Sequence, residues 1–187
     1  MARLNISLSN EQAKGIQELS KEEGKTIGSV ITESVDLYEK LKKNHISKDQ
    51  IESMIRFHEI SKSIGAVPIS AIMLDLSVTA AVKCAEEDMM KMWCDRGRIF
   101  GELVKGIAKS IDDLSKLVQE FESFLPTDRL EIRRVDDDVE VLMIGSGYSI
   151  TASKLTAEGA KCFLTVYGYK EFEQQLGEGY VRIKGTQ

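Results

Sequence analysis

The chain has 187 residues and a formal net charge of -5, with 42% hydrophobic and 29% charged residues. These values are near the ordinary ones for a soluble globular protein, and no low-complexity segment or internal repeat stands out. The start lacks the apolar core of a signal peptide, and the longest apolar-rich run, AVPISAIMLDL, is too short to span a bilayer. We therefore expect a cytoplasmic protein with no membrane partner.

The first element is predicted from an alternating stretch, RLNISL. Its apolar positions are Leu4, Ile6 and Leu8, and its polar positions are Arg3, Asn5 and Ser7. This period of two is typical of a β-strand with one face buried. Because a single short strand cannot bury that face alone, it requires a partner strand.

Two helices are predicted to follow. The sequence SNEQ has the form of a capping box, with Ser9 as the N-cap and Gln12 reaching back to its backbone N–H. This helix can run to about Glu23, and Gly24 is the expected left-handed stop. A second helix begins at Thr26, another good N-cap, and carries apolar residues at spacings of three and four.

A strand and two helices in about 42 residues cannot close a core by themselves. Two copies could do so if their strands paired antiparallel across a two-fold axis. Leu4, Ile6 and Leu8 of both chains would then form the floor of a shared core, and the polar face of the ribbon would point to solvent. The sequence thus predicts a homodimer, with a tetramer left open.

The order RLNISL, a capped helix, then GKTIGSVITESVDLY resembles the ribbon-helix-helix DNA-binding domain of the CopG, Arc and MetJ repressors, over residues 2–43. The resemblance implies a strand-swapped dimer whose paired strands enter the major groove of double-stranded DNA. It implies base reading by Arg3, Asn5 and Ser7. It also implies phosphate binding at the start of the second helix, by Lys25, Thr26, Ile27, Gly28 and Ser29.

Charge is a departure from a typical DNA-binding domain. Residues 1–43 contain seven Lys or Arg and seven Asp or Glu, so the segment is neutral and the acidic excess lies beyond it. The phosphate contribution to affinity should therefore be small. Binding would be weak per dimer, strongly dependent on DNA sequence, or dependent on several dimers side by side. Alternatively, DNA binding is lost and only dimerisation remains.

The middle of the chain is predicted to be helical. A helix within residues 44–66 has apolar residues on two faces, which indicates that it is sandwiched. A long helix from Ile69 to about Cys94 follows, with a break at DRG. The helix from Arg98 to Leu125 has a heptad seam, which packs either within the chain or against a partner as a coiled coil. The seam comprises Phe100, Val104, Ile107, Ile111, Leu114, Val118, Phe121 and Leu125.

Past Pro126 the pattern changes to a small α+β unit. RLEIRRV and VEVLMIG flank DDD and predict a hairpin. SKLTAEGAKCFLTVYGYKEFEQQL predicts a helix with an interruption at Gly168, and GYVRIKG predicts a closing strand.

No convincing catalytic, metal or cofactor site emerges, so we expect no enzyme and no cofactor. Cys84, Cys94 and Cys162 form no C-x-x-C pair and are interpreted as reduced thiols in or near a core. GSGYS lacks the Lys and Thr of a P-loop and is interpreted as a loop. Of the two histidines, His58 falls on a helix packing face, which favours packing over metal binding.

The predicted protein is mainly α with an α+β C-terminal part. It has a ribbon-helix-helix domain at residues 1–44 and an oligomerisation domain at residues 45–187. We expect a homodimeric or higher-order, sequence-specific DNA-binding transcription regulator, with an unidentified small-molecule effector left open. The alternative is a non-DNA-binding oligomer or ligand-binding protein that uses the ribbon only as a dimer clamp.

Overall fold

The computed structural model describes residues 5–187, which contain six α-helices and four β-strands. The chain divides into two compact units, Met1–Glu52 and Ser53–Gln187. The predicted class, mainly helical with a small antiparallel sheet, is confirmed.

The first unit contains helices α1, Asn10–Glu22, and α2, Ile27–Lys43, and the start of α3, Lys48–Ser63. The capping box is present: Gln12 N–H donates to Ser9 Oγ at 3.2 Å, and Ser9 N–H donates to Gln12 Oε1 at 3.0 Å. Gly24 has a φ of 63°, the left-handed conformation predicted for the stop between the helices.

The predicted N-terminal strand is absent from the described part of the single chain. Residues 5–9 belong to no strand, and all four strands come after the helices. A strand exists through ladder hydrogen bonds to a neighbour, and one chain offers this segment none. Arg3 and Leu4 lie outside the described residues. Pairing of this segment with a second copy stays a prediction.

The second unit combines the end of one helix and three whole helices with one antiparallel sheet. The helices are the end of α3, α4 (Ala71–Lys105, kinked at Ala85), α5 (Ile111–Phe121) and α6 (Ile150–Thr165), with a short 3-10 turn after α5. The strands are β1 (Arg129–Val135), β2 (Asp138–Ile144), β3 (Glu171–Gly177) and β4 (Tyr180–Thr186), in the sheet order β1-β2-β4-β3.

Helices α5 and α6 pack on this sheet, and α4 packs along α6. Strands β2 and β4 lie in the middle of the sheet, where Val141 pairs with Ile183. Val139 and Ile183 are completely buried, and Leu155 and Leu164 of α6 are each only 1% exposed. Burial of apolar side chains such as these stabilises the second unit.

Two predictions for this region are wrong: the single helix from Arg98 to Leu125 and the break at DRG. Helix α4 continues through DRG to Lys105, and the chain breaks instead between Gly106 and Ser110. Ser110 and Asp113 form a capping box that starts α5, and Ile107 between the helices is 50% exposed. The seam residues of two consecutive helices happen to continue one pattern. Val104, Ile111, Leu114 and Phe121 are buried in the core of their own chain, whereas Phe100 and Ile107 stay 39% and 50% exposed.

The C-terminal hairpin and closing strand are confirmed as β1, β2 and β4, but the helix predicted to reach Leu176 ends at Thr165. Gly168, with a φ of 98°, reverses the chain, and Glu171–Gly177 pairs with β4. Phe172 lies opposite Gly185 in this pairing. Cross-strand pairing has thus overridden the helical propensity of Glu and Gln in this segment.

The helix predicted within residues 44–66 is confirmed as α3, but it is not sandwiched. Phe57 and Ile60 pack against the core, and Phe57 contacts the rings of Phe121 and Phe124. Met54 and Ile55, also on α3, are about half exposed. His58 is exposed and not at a packing face.

Candidate nucleic-acid interface and ligand cavity

An exposed apolar groove of about 280 Å³ runs over the first unit. It is lined by residues from the N-terminal segment and from both helices: Ile6, Leu8, Ile16, Val30, Ile31, Ser34, Val35 and Tyr38. Neither α1 nor α2 contains a buried residue, and Ile6 remains 60% exposed. The apolar faces predicted from the sequence are therefore present, and the single chain does not bury them.

Of the three predicted base-reading residues, Asn5 and Ser7 belong to the described part of the chain and Arg3 does not. Asn5 and Ser7 are exposed and do not line the groove, whereas Ile6 and Leu8 between and beside them do. This alternation separates a polar side of the segment from an apolar side. Arg3 and Leu4 fall outside the described residues.

The predicted phosphate-binding residues form the start of α2. Thr26 is the N-cap, and its Oγ1 accepts from Ser29 N–H at 3.1 Å. Ile27 and Gly28 provide first-turn N–H groups that have no acceptor inside the helix. A Cβ on Gly28 would meet only Thr26 Oγ1, at 3.8 Å, so the backbone here is open to close approach.

Lys25 is held by two carboxylates. Its Nζ lies 2.7 Å from Glu23 and 2.7 Å from Glu33. The hydrogen bonds to Glu23 and then Glu33 raise the pKa of Lys25 well above its usual range. The ammonium would have to exchange these partners for a phosphate, which reduces the net gain from such a contact.

The second unit contains a cavity of about 550 Å³ among its helices and sheet. Its walls include Phe57 of α3, Phe100 of α4, Leu117 of α5, Val141 of β2 and Phe163 of α6. The side chains that line it are apolar except those of Arg96 on α4 and Thr156 on α6. Such a volume is in the range of small-molecule sites, which have mostly apolar walls and few polar groups.

Close packing of α4 on α6 shapes one end of this cavity. A Cβ on Gly97 would lie 2.1 Å from the carbonyl oxygen of Gly159, so the two backbones touch at this crossing. Trp93 covers Gly159 from the α4 side, with its Cδ1 3.2 Å from where a Cβ would be. The sequence pattern does not indicate this cavity, because its walls come from several elements. The glycines are the local signal that could have indicated a close helix crossing.

A disulfide joins the same two helices. The structure links Cys94 of α4 to Cys162 of α6, with 5.1 Å between their Cα atoms, so the reduced-thiol prediction is wrong for both; Cys84 is a free, exposed thiol. Glu158 lies beside the disulfide, and the three side chains offer ligand atoms within 4.8 Å of one another. Disulfide sulfurs are not thiolates, the form that ligates metals.

The GSGYS segment is a loop, as predicted, although α6 begins directly after it. Asp75 accepts from Ser149 N–H at 2.8 Å and from Ser149 Oγ at 2.7 Å. Asp128 accepts from Ser146 N–H at 2.7 Å, and the Ser146 hydrogen bonds lower the pKa of Asp128. Two carboxylates thus occupy donors that a phosphate would need, which disfavours an anion site here.

A buried carboxylate connects three strands of the sheet. Glu140 on β2 is 8% exposed and accepts from Arg133 Nε of β1 at 2.7 Å and from Arg182 Nε of β4 at 2.5 Å. Hydrogen bonds from Arg133 and then Arg182 lower the pKa of Glu140. Glu140 contacts these two arginines and lines no cavity. We therefore interpret the three residues as stabilising the sheet.

The lowered pKa of Glu140 predicts a pH-dependent contribution to stability. Ionised Glu140 stabilises the fold above its ordinary pKa of about 4.3, and this contribution is lost as pH falls through the lower folded value. We expect Glu140→Gln to reduce the free energy of unfolding at neutral pH, and the difference from the parent protein to shrink in acid. Urea unfolding across pH measures this, with Glu171→Gln, at an exposed position on β3, as control. A difference that is independent of pH would contradict the prediction.

Comparisons of the chain with protein-family models, with curated proteins and with solved structures find no match. In residues 5–187, no helix is long and apolar enough to cross a membrane.

Proposed function

We propose that the protein is a sequence-specific DNA-binding transcription regulator that acts as a homodimer or higher oligomer. Its N-terminal segments pair as an antiparallel ribbon that enters the major groove. Arg3, Asn5 and Ser7 read base edges, and the start of α2 binds phosphates on each side. The second unit serves in oligomerisation and in sensing an effector.

The exposed groove of the first unit carries this proposal. A second copy could supply its own Ile6, Leu8 and α2 side chains to cover the groove, which a monomer leaves open to water. Burying Ile6 and Leu8 in such a pair would turn Asn5 and Ser7 outward. A two-stranded ribbon of this kind fits the width of the major groove.

The chemistry of the outward residues supports base reading. Arginine can pair with O6 and N7 of guanine, and asparagine with N6 and N7 of adenine. Lys25, the lysine predicted to bind a phosphate, is already paired to Glu23 and Glu33. We therefore expect affinity to depend more on base contacts than in a basic repressor, with a shallow salt dependence.

The test begins with selection of random duplex DNA on the full-length protein, which should enrich a palindromic sequence. Arg3→Ala and Asn5→Ala should fold and dimerise normally but lose preference for that sequence. Since a bidentate base contact contributes about 1–3 kcal/mol of discrimination and the dimer loses two, we expect at least about a tenfold loss of preference. Mobility-shift titrations against the selected and a scrambled duplex measure this ratio.

Arg134→Ala is the matched control, because it removes the same charge from an exposed position in the β1–β2 hairpin of the second unit. It should leave the preference unchanged. Equal preference in the Arg3 and Asn5 variants and the parent would rule out reading by the ribbon. Failure to enrich any duplex would rule out sequence-specific binding altogether.

The 550 Å³ cavity favours a second candidate function, a ligand-binding oligomer that uses the first unit only for dimerisation. The neutral charge of residues 1–43 and the paired state of Lys25 are compatible with it. The duplex selection separates the two, because only the first candidate requires an enriched sequence.

A further inference from the structure

Arg96 differs from its neighbours on α4 by its position and its lack of a partner. It lies in the wall of the apolar cavity and is itself exposed, so it stands where the cavity meets solvent. Within residues 5–187 it makes no hydrogen bond or ion pair. Arg98, two residues further on, does not line the cavity and is paired with Asp95 at 3.2 Å.

Among residues 5–187, Arg96 has no carboxylate within ion-pair distance, although Asp88 and Asp95 line the same outer surface. Asp95 is paired instead with Arg98. A guanidinium without a partner at the rim of an apolar cavity favours an anionic group there, because Arg binds carboxylates through two parallel N–H donors.

The remaining wall specifies the rest of the ligand. Apart from Arg96, only Thr156 contributes a polar side chain, and aromatic rings of Phe57, Phe100 and Phe163 contribute much of the surface. A ligand with several polar groups would leave them without hydrogen bonds in this cavity. An apolar body with one polar end avoids that penalty.

From this arrangement we propose that the cavity binds a small amphiphile, with its hydrocarbon body among the side chains of α4, α5, α6 and the sheet and its carboxylate paired with Arg96. The proposal concerns the second unit alone and does not depend on whether the protein binds DNA.

The test uses the full-length protein, with dodecanoate and dodecanol as probes in calorimetric titrations at neutral pH, below their aggregation limits. We expect saturable binding of dodecanoate. In Arg96→Gln the affinity for dodecanoate should fall by about tenfold, the effect of losing a charge-assisted hydrogen bond, while the affinity for dodecanol should stay the same. Arg98→Gln is the matched control and should change neither.

A second variant locates the binding. Val118→Phe adds volume to the cavity wall contributed by α5, and it should weaken both probes if its thermal melting shows a folded protein. The absence of saturable binding to the parent protein would overturn the proposal. Equal loss of both probes in Arg96→Gln would overturn the carboxylate pairing. Unchanged binding in folded Val118→Phe would overturn the cavity as the site and point to the exposed groove of the first unit.

Discussion

Replacing Ile6 with Lys is expected to convert the protein into a monomer. In the proposed dimer this side chain lies in the shared core, so each chain would bring an ammonium into an apolar layer at a penalty of several kcal/mol per ion. The dissociation constant of the dimer should rise at least about a hundredfold. Because α1 and α2 have no fully buried residue in the single chain, their helical structure should melt together with the dimer. Sedimentation and thermal melting followed by circular dichroism measure both effects.

Ser7→Lys is the matched control, since it adds the same charge one position away, at a residue that does not line the groove. It should remain dimeric. If Ile6→Lys sedimented and melted like the parent protein, the shared-core dimer would be excluded, and with it a ribbon formed from two chains. If Ser7→Lys also dissociated, the separation into an apolar and a polar side would be wrong.

The first unit shows what sequence patterns predict well. The caps at Ser9 and Thr26 and the stop at Gly24 depend on hydrogen bonds within a few residues, so the local sequence determines them. Residues 5–9 form no strand, because no strand of the same chain lies beside them to supply ladder hydrogen bonds. Sequence alternation indicates which side is apolar but not where the partner strand is.

The second unit shows where such patterns mislead. The seam from Phe100 to Leu125 has the correct apolar residues but belongs to two helices, because Gly106 and the Ser110 cap divide it. Likewise EFEQQL has helical composition, yet β4 offers it a free edge and it becomes β3. In both segments the helix and strand propensities of the local sequence leave more than one structure nearly equal in free energy. Contacts with residues distant in sequence select the one that forms.

The cavity and the disulfide lie beyond what spacing can reveal. The pairing of Cys94 with Cys162 joins residues 68 positions apart, and no motif relates them. Arg96 is one of many charged residues on a long helix, and only the assembled walls distinguish it. Sites built from several elements therefore require the three-dimensional arrangement.

Breaking the disulfide is expected to lower the stability of the second unit substantially. A cross-link over 68 residues lowers the conformational entropy of the unfolded chain. In the chain-entropy model this stabilises the fold by about 4 kcal/mol. Cys94→Ser should therefore lower the free energy of unfolding by up to about this amount, and a thiol reductant should do the same to the parent protein. Urea unfolding with and without reductant measures the change.

Cys84→Ser is the matched control, because Cys84 is exposed and unpaired, and it should leave stability and the response to reductant unchanged. In Cys94→Ser, reductant should have no further effect. Three titratable thiols in the denatured, unreduced parent protein would contradict the cross-link.

Because Cys94 and Cys162 join the helices that contribute Trp93, Arg96 and Phe163 to the cavity, we also expect reduction to weaken dodecanoate binding. Unchanged binding would mean that the packing of α4 on α6 at Gly97 and Gly159 maintains the cavity without the disulfide.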